Sequence, residues 1–221
     1  MATYLITGAN RGIGYDYCRQ LQERGEGVVA VCRTPSQPLQ QLGVRIETGV
    51  DIRSDAAVNS LVERLDGLAI DVLINNAGIL ETTNLENLDI ESVRRQFEVN
   101  AIGPLRLTRA LLANLHQGAK VILMTSRMGS IEDNSSGGSY GYRMSKVALC
   151  MAGKSLSIDL QPRGIAVAVL HPGLVSTGMT GFHDRGISPA AAVQDLLQRI
   201  DALTLATTGT FWHANGQVLP W

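Results

Sequence analysis

The sequence predicts an α/β fold, a doubly wound parallel sheet of about seven strands in the order 3-2-1-4-5-6-7 with helices on both faces. Three observations carry this expectation. Apolar strand-like runs alternate with helical stretches along all 221 residues, which calls for crossover connections and a parallel sheet. The runs are rich in Val, Ile and Leu without strict alternation, as in Val28-Val-Ala-Val31 and Val121-Ile-Leu-Met124, the pattern of strands buried on both faces. The first run ends in a glycine-rich turn, Gly8-Ala-Asn-Arg-Gly12-Ile-Gly14, which leads into an amphipathic stretch.

Taken in chain order, strands are expected at Thr3–Thr7, Gly27–Cys32, Arg45–Gly49, Asp71–Asn75, Lys120–Thr125, Ala166–His171 and Thr210–Ala214. Helices are expected at Ile13–Arg24, in a short piece near Pro38–Leu42, at Asp55–Leu65, in a long segment from Asp89 to about Leu115, at Tyr140–Leu160 and at Pro189–Leu203. Ser188-Pro189 is an N-cap followed by proline at the first helical position, a start signal. Pro104 falls inside the long helix and should kink or split it, because proline brings no N–H and its ring clashes with the preceding turn. No internal repeat or low-complexity linker interrupts the pattern, so residues 1–221 read as one domain.

Bulk properties narrow the function. Apolar residues make up 45% and charged residues 18% of the chain, a globular composition incompatible with disorder. The net charge of -1, with acids and bases interspersed, gives no nucleic-acid or anionic-membrane surface. Cys18, Cys32 and Cys150 are odd in number and widely spaced. They read as buried free thiols in a reducing compartment. No leader-like segment or long uncharged apolar run appears, so a cytoplasmic protein is expected. His116, His171, His183 and His213 show no ligand spacing, and no metal site is expected.

Two motifs carry chemistry. Tyr142 and Lys146 lie four residues apart, which on a helix places both side chains on one face. A lysine cation beside a phenol favours the tyrosinate and lowers its pKa, so the pair forms a candidate general acid/base. Tyr140 has Met144 four residues on and no lysine on its face. The second motif is the glycine turn. Strand, glycine turn and helix form the context of a dinucleotide site, in which glycines let backbone approach a pyrophosphate and the helix start offers free N–H groups. The spacing is Gly-x-x-x-Gly-x-Gly rather than the common Gly-x-Gly-x-x-Gly. Arg33, in Cys32-Arg33-Thr34 after the second strand, and Arg11 in the glycine loop replace the carboxylate that would select an unphosphorylated ribose. Converging arginines favour a 2′-phosphate and hence NADPH. The alternative is two solvated loop charges.

Together with others, these motifs resemble the short-chain dehydrogenase/reductase family. The resemblance rests on Thr7-Gly8-Ala-Asn10-Arg11-Gly12-Ile13-Gly14, Asn75-Asn76-Ala77-Gly78, Asn100, Ser126, Tyr142-Arg-Met-Ser-Lys146 and Pro172-Gly173, in the family's order along essentially the whole chain. Met124-Thr-Ser-Arg-Met-Gly-Ser130, the segment Gly138–Lys146 and Leu219-Pro-Trp221 look like the C-factor-like branch of carbonyl reductases. The resemblance implies that Thr7, Gly8, Asn10, Arg11, Gly12, Ile13, Gly14, Arg33, Asp51, Ile52, Asn75, Asn76, Ala77 and Gly78 contribute to cofactor binding. Asp51, through side chain or adjoining backbone, would meet adenine; as a bare sequence feature it could equally cap the next helix. Pro172, Gly173, Val175 and Thr177 would engage the nicotinamide end, with Tyr142 and Lys146. It also implies that Asn100 holds a water near Lys146.

Ser126 ends a strongly apolar strand, where a hydroxyl can hold a substrate carbonyl opposite the tyrosine. Ser130 is the rival, and the family's serine precedes x-x-Gly, here Arg127-Met-Gly129. No Gly-x-Ser-x-Gly elbow surrounds it, so a hydrolase is a poor reading. The short loop from Gly178 to Ser188 implies an open pocket, with Met128, Ile131, Met179 and Phe182 as apolar lining. The expected activity is NADPH-dependent reduction of a ketone or aldehyde, with Asn100, Ser126, Tyr142 and Lys146 as the catalytic group. The alternatives are an NAD-dependent alcohol dehydrogenase of the same family and a cofactor-binding signalling protein of this fold. The partner is a small-molecule carbonyl, and the long helices point to a homodimer, as relatives often pair through them.

Overall fold

The computed structural model describes residues 1–221. Its strands are β1 (Thr3–Thr7), β2 (Gly27–Val31), β3 (Arg45–Glu47), β4 (Ile70–Asn75), β5 (Leu115–Met124), β6 (Ala166–His171) and β7 (Thr210–His213). They form one parallel sheet in the order β3-β2-β1-β4-β5-β6-β7, the order expected for the doubly wound fold. The order reverses at β1, which pairs with β2 on one side and β4 on the other. A crevice therefore opens at the carboxyl ends of these strands.

The helices are α1 (Gly12–Glu23), α2 (Gln37–Gln41), α3 (Asp55–Arg64), α4 (Ile90–Phe97), α5 (Gly103–Ala110), α6 (Tyr140–Asp159) and α7 (Pro189–Ala202). Alternate strand residues serve two cores. Leu5, Val29, Leu73, Val121, Val167 and their neighbours pack with Val58 and Leu61 of α3, Leu107 of α5 and Leu149 of α6. Ile6, Ala30, Ile74, Ile122 and Leu170 pack instead with Tyr17 and Leu21 of α1 and Val193 and Leu197 of α7. Burial on both faces explains the absence of polar alternation in the strands.

The long helix expected from Asp89 to Leu115 is divided. A π-turn, Glu98–Ile102, separates α4 from α5, and Gly103 N–H donates to Glu98 O. Pro104 follows at once, and its missing N–H and its ring exclude a regular turn there. The segment then leaves the helix after Ala110, and β5 begins at Leu115 rather than Lys120. Its early start is possible because pairing with β4 shifts register between Ile70 and Val72, and Gly118 adopts φ +93, a conformation open to glycine. No helix is long and apolar enough to cross a membrane.

Candidate active site

The glycine loop is built by close packing. A Cβ on Gly14 would lie 2.2 Å from Gly8 O and 2.7 Å from Asn76 Nδ2, and one on Gly8 (φ +65) 2.9 Å from Ala77 Cα. These two glycines let the loop seat against the end of β4. Gly12 differs: at φ +55 it faces outward, 3.4 Å (as a Cβ) from Thr177 Cγ2 across the cleft. Ile13 is half-buried beside it. Helix α1 begins at Arg11 without a side-chain cap and without an acid in its first turn, so its N-terminal partial charge is not offset locally. Arg11 and Arg33 are exposed, and neither guanidinium forms an ion pair with a carboxylate. A bare helix start, glycine crest and two unpaired arginines fit a phosphorylated dinucleotide.

Several of the expected cofactor residues have side chains engaged with the protein. Thr7 Oγ1 accepts from the N–H groups of Asn76 and Ala77, both at 3.0 Å. Asn76 Nδ2 donates to Thr7 O at 3.0 Å, while Asn75 Nδ2 donates to Thr108 Oγ1 at 3.1 Å beneath the site. Asn10 ties the glycine loop to the β2–α2 connection, accepting from Ser36 N–H and, through its carbonyl, from Ser36 Oγ at 2.9 Å. Asp51 forms an ion pair with Arg53 at 2.6 Å, which, with Arg33 nearby, holds its carboxyl below the usual range. Ile52 is buried, its carbonyl accepting from Arg106 at 2.8 Å. These residues shape the cleft with their side chains and leave backbone, above all the Ala77 carbonyl and Gly78, for a ligand.

On the other wall, Ser126, Tyr142 and Lys146 converge where β5 ends. Burial pushes the Tyr142 phenol up to about 12, and the neighbouring Ser126 hydroxyl acts in the opposite sense. Ser126 Oγ also accepts from Met128 N–H at 3.2 Å. Lys146 is buried, and its Nζ donates to Met124 O at 2.9 Å. Desolvation lowers its pKa to about 8. The expected effect of lysine on tyrosine is not seen in this arrangement. The ammonium lies 5.7 Å from the centroid of the phenol ring and is directed at a carbonyl, so burial dominates the phenol.

Asn100 is fully buried in the π-turn. Its Oδ1 accepts from Ile79 N–H at 2.8 Å, and its Nδ2 donates to Ile79 O at 2.9 Å and Ser145 Oγ at 3.0 Å. Ser145 Oγ in turn donates to Tyr142 O at 2.8 Å. The asparagine therefore clamps the segment following Gly78 onto the helix of Tyr142 and Lys146. Ser145 escapes the sequence reading because a serine in a helix interior carries no distinctive spacing; only its place between Tyr142 and Lys146 marks it. A Cβ on Gly78 would sit 3.2 Å from Asn100 Oδ1 and 3.6 Å from Lys146 Nζ, so a bare backbone is needed beside the lysine.

The rim is completed by the turn after β6. Gly173 has φ +85, Pro172 precedes it, and Val175 is buried, bridging Ile187. Thr177 caps a short helical turn reciprocally with Thr180, whose hydroxyl also donates to Val175 O at 2.6 Å. Met179, Phe182 and Ile131 are exposed and Met128 is half-buried, consistent with an open apolar mouth. No group of three or more His, Cys, Asp or Glu is placed to hold a metal.

Comparison with known proteins agrees with this geometry. The short chain dehydrogenase family pattern matches residues 2–187. The 1-hydroxy-2-glutathionyl-2-methyl-3-butene dehydrogenase of Rhodococcus sp. (strain AD45) is 41% identical, with both chains covered completely. The C-signal protein of Myxococcus xanthus is 45% identical over 69% of this chain and 93% of its own length. Among solved structures, the carbonyl reductase Sniffer of D. melanogaster superposes with a TM-score of 0.94 at 31% identity, over 100% of each chain. The NADPH-bound carbonyl reductase from chicken fatty liver does so with a TM-score of 0.91 at 30% identity, over 100% of this chain and 99% of its own. The chain belongs to the short-chain dehydrogenase family of oxidoreductases, in its C-factor-like carbonyl reductase branch.

Proposed function

We propose that the protein reduces a ketone or aldehyde to an alcohol at the expense of NADPH. The observation that carries this is the hydroxyl pair of Ser126 and Tyr142, held at the mouth of the cleft with Lys146 on the same helix face. The bound nicotinamide supplies the hydride. Ser126 holds the carbonyl oxygen, and Tyr142 delivers the proton to that oxygen as negative charge develops on it. A phenol raised to about 12 keeps its proton at neutral pH, so the proton to be delivered is in place before reduction; the reverse oxidation uses the same groups, and cofactor supply sets the direction. Lys146 holds the ribose hydroxyls and Asn100 keeps its helix in place. The glycine loop, Asp51, the Asn75–Gly78 segment and the Pro172–Thr177 turn receive the rest of the dinucleotide. Arg11 and Arg33 select the phosphorylated ribose.

The test is consumption of NADPH, and separately of NADH, against aldehydes, ketones and diketones. A preference for NADH overturns the role of the arginines; binding without any turnover turns the reading towards a signalling protein, a second possibility favoured by the likeness to the Myxococcus C-signal. The Rhodococcus relative's name specifies an alcohol beside a glutathionyl group, so glutathione conjugates belong in the screen in both directions.

We place the protein in the cytoplasm, on the strength of its three buried free thiols. It pairs as a homodimer: Met144, Met151 and Ile158 are exposed at seven-residue spacing along α6, with Ile102 and Leu105 exposed at the start of α5. Light scattering on the purified protein decides between one chain and two.

A further inference from the structure

Leu219-Pro-Trp221 takes no part in the chemistry proposed above, yet it is bound to the loop that follows Ser126. After β7 the chain doubles back: His213 N–H donates to Gln217 O at 2.8 Å, and Leu219 N–H donates to Phe211 O at 2.8 Å. Trp212 bridges Val218 in antiparallel fashion. This return lays the Trp221 indole on the buried Phe211 ring, with centroids 5.5 Å apart and planes inclined by 30°. With the indole seated, the Trp221 main-chain oxygen accepts two hydrogen bonds, from Ser130 Oγ at 3.3 Å and from Glu132 N–H at 3.1 Å.

Those two donors flank Ile131, a large apolar side chain that is 71% exposed. The remainder of the loop is cinched to itself. Asp133 N–H donates to Ser130 Oγ at 3.1 Å, and Arg127 pairs with Asp133 at 2.7 Å. Its first turn is pressed onto α6, where a Cβ on Gly129 would lie 3.0 Å from the Lys146 carbonyl. The stretch around Ile131 thus lies between an attachment to α6 at Gly129 and one to Trp221 at Ser130 and Glu132, while Arg143 holds the later part of the loop at Ser136 and Gly137.

We propose that Trp221 is a positioning residue of the substrate site: stacked on Phe211, it fixes the backbone on both sides of Ile131 and so sets the apolar wall that selects bulky over small carbonyls. This rests on the reductase reading for its substrate, but not for the anchor itself. An exposed apolar side chain on a free loop gains little from contact with a ligand, because ordering the loop offsets the burial. Restraining its backbone in advance removes that cost.

The test compares the wild type with Trp221→Ala and Trp221→Phe, each as the full chain. Amide exchange is followed across residues 126–134, and kinetics are measured with acetophenone and with 2,3-butanedione. In Trp221→Ala, exchange at Glu132 and Asp133 rises while the strands keep their protection. The KM for acetophenone rises about tenfold, that for butanedione, kcat and NADPH affinity staying within about twofold. Trp221→Phe retains a ring on Phe211 and restores most of the acetophenone KM. Unchanged exchange in the loop overturns the anchor, as does a rise throughout the protein; equal changes in KM for both ketones overturn the selectivity. A wild type that binds NADPH but reduces neither ketone refutes the reductase reading and the selectivity with it, while exchange still decides the anchor.

Discussion

Helices α2, α3, α4 and α7 each start on a side chain that accepts from their own backbone: Ser36, Ser54, Asp89 and Ser188. Helices α1 and α6, the two that carry the glycine loop and Tyr142, start with no such cap. Their first turns are placed by tertiary contact instead. Gly14 of α1 presses on Gly8 and Asn76, and a Cβ on Gly141 of α6 would lie 2.6 Å from Gln96 Nε2 and 3.0 Å from Val93 Cα of α4. Gln96 is itself held, exchanging two hydrogen bonds with the Glu81 backbone, both at 3.1 Å. A capped helix is finished locally and its end is closed to ligands. An uncapped one keeps its N–H groups or its first-turn side chains available, at the cost of depending on distant contacts.

Changing the chemical group borne by an uncapped helix tests this most severely. Tyr142→Phe removes the proton donor without altering the packing, and turnover should fall about 10²–10⁴-fold with NADPH affinity intact. A variant with near-normal turnover, measured at saturating substrate, sinks the proposed role of the phenol. Gly14→Ala comes next. Its Cβ meets a carbonyl oxygen that cannot move without the loop, so the fold should lose about 1–3 kcal/mol and the protein most of its NADPH affinity. Calorimetry and fluorescence titration read the two effects separately.

The third prediction concerns pH. Lys146 is lowered from 10.5 to about 8 by burial. NADPH affinity should decline as pH rises through about 8, where the ammonium is lost, and Lys146→Met should show no such decline in a titration from pH 6 to about 10. The same shift acts oppositely on stability. Between about pH 8 and 10.5 the unfolded chain still binds a proton that the folded chain has released, so the contribution of Lys146 makes stability rise across that window. The smallest effect belongs to the capped class. Ser54→Ala should cost about 1 kcal/mol in the melting free energy and leave kcat and NADPH affinity unaltered. A loss of activity there equal to that of Gly14→Ala would erase the distinction between the two kinds of helix.

The two kinds of helix also divide what could be read in advance. Ser188-Pro189 marks the start of α7 in the sequence because the signal is carried by adjacent residues. Nothing adjacent marks the start of α6, where Ser139 sits at φ +47 and its N–H donates to Thr83 O at 2.7 Å; the tyrosine–lysine spacing located that helix instead. The division of the long helix was foreshadowed by Pro104, but the π-turn that Asn100 occupies was not. Nor were the partners of Asn100 and Thr7, because hydrogen bonds between remote backbones leave no local pattern.

By itself, the chain's order of apolar runs, glycines and motifs determined the parallel sheet, the order of its strands and the family to which the protein belongs. The parallel sheet follows from periodicity and steric rules that act over a few residues at a time; the strand order and the family follow from the resemblance that the motifs carry. Only the tertiary structure decided that Tyr142 is buried and keeps its proton, that Lys146 turns to the Met124 carbonyl, and that Thr7, Asn10 and Asn76 build the cleft with their side chains. Those outcomes depend on desolvation and on contacts between residues as far apart in sequence as 70 positions, which no short window of the chain contains.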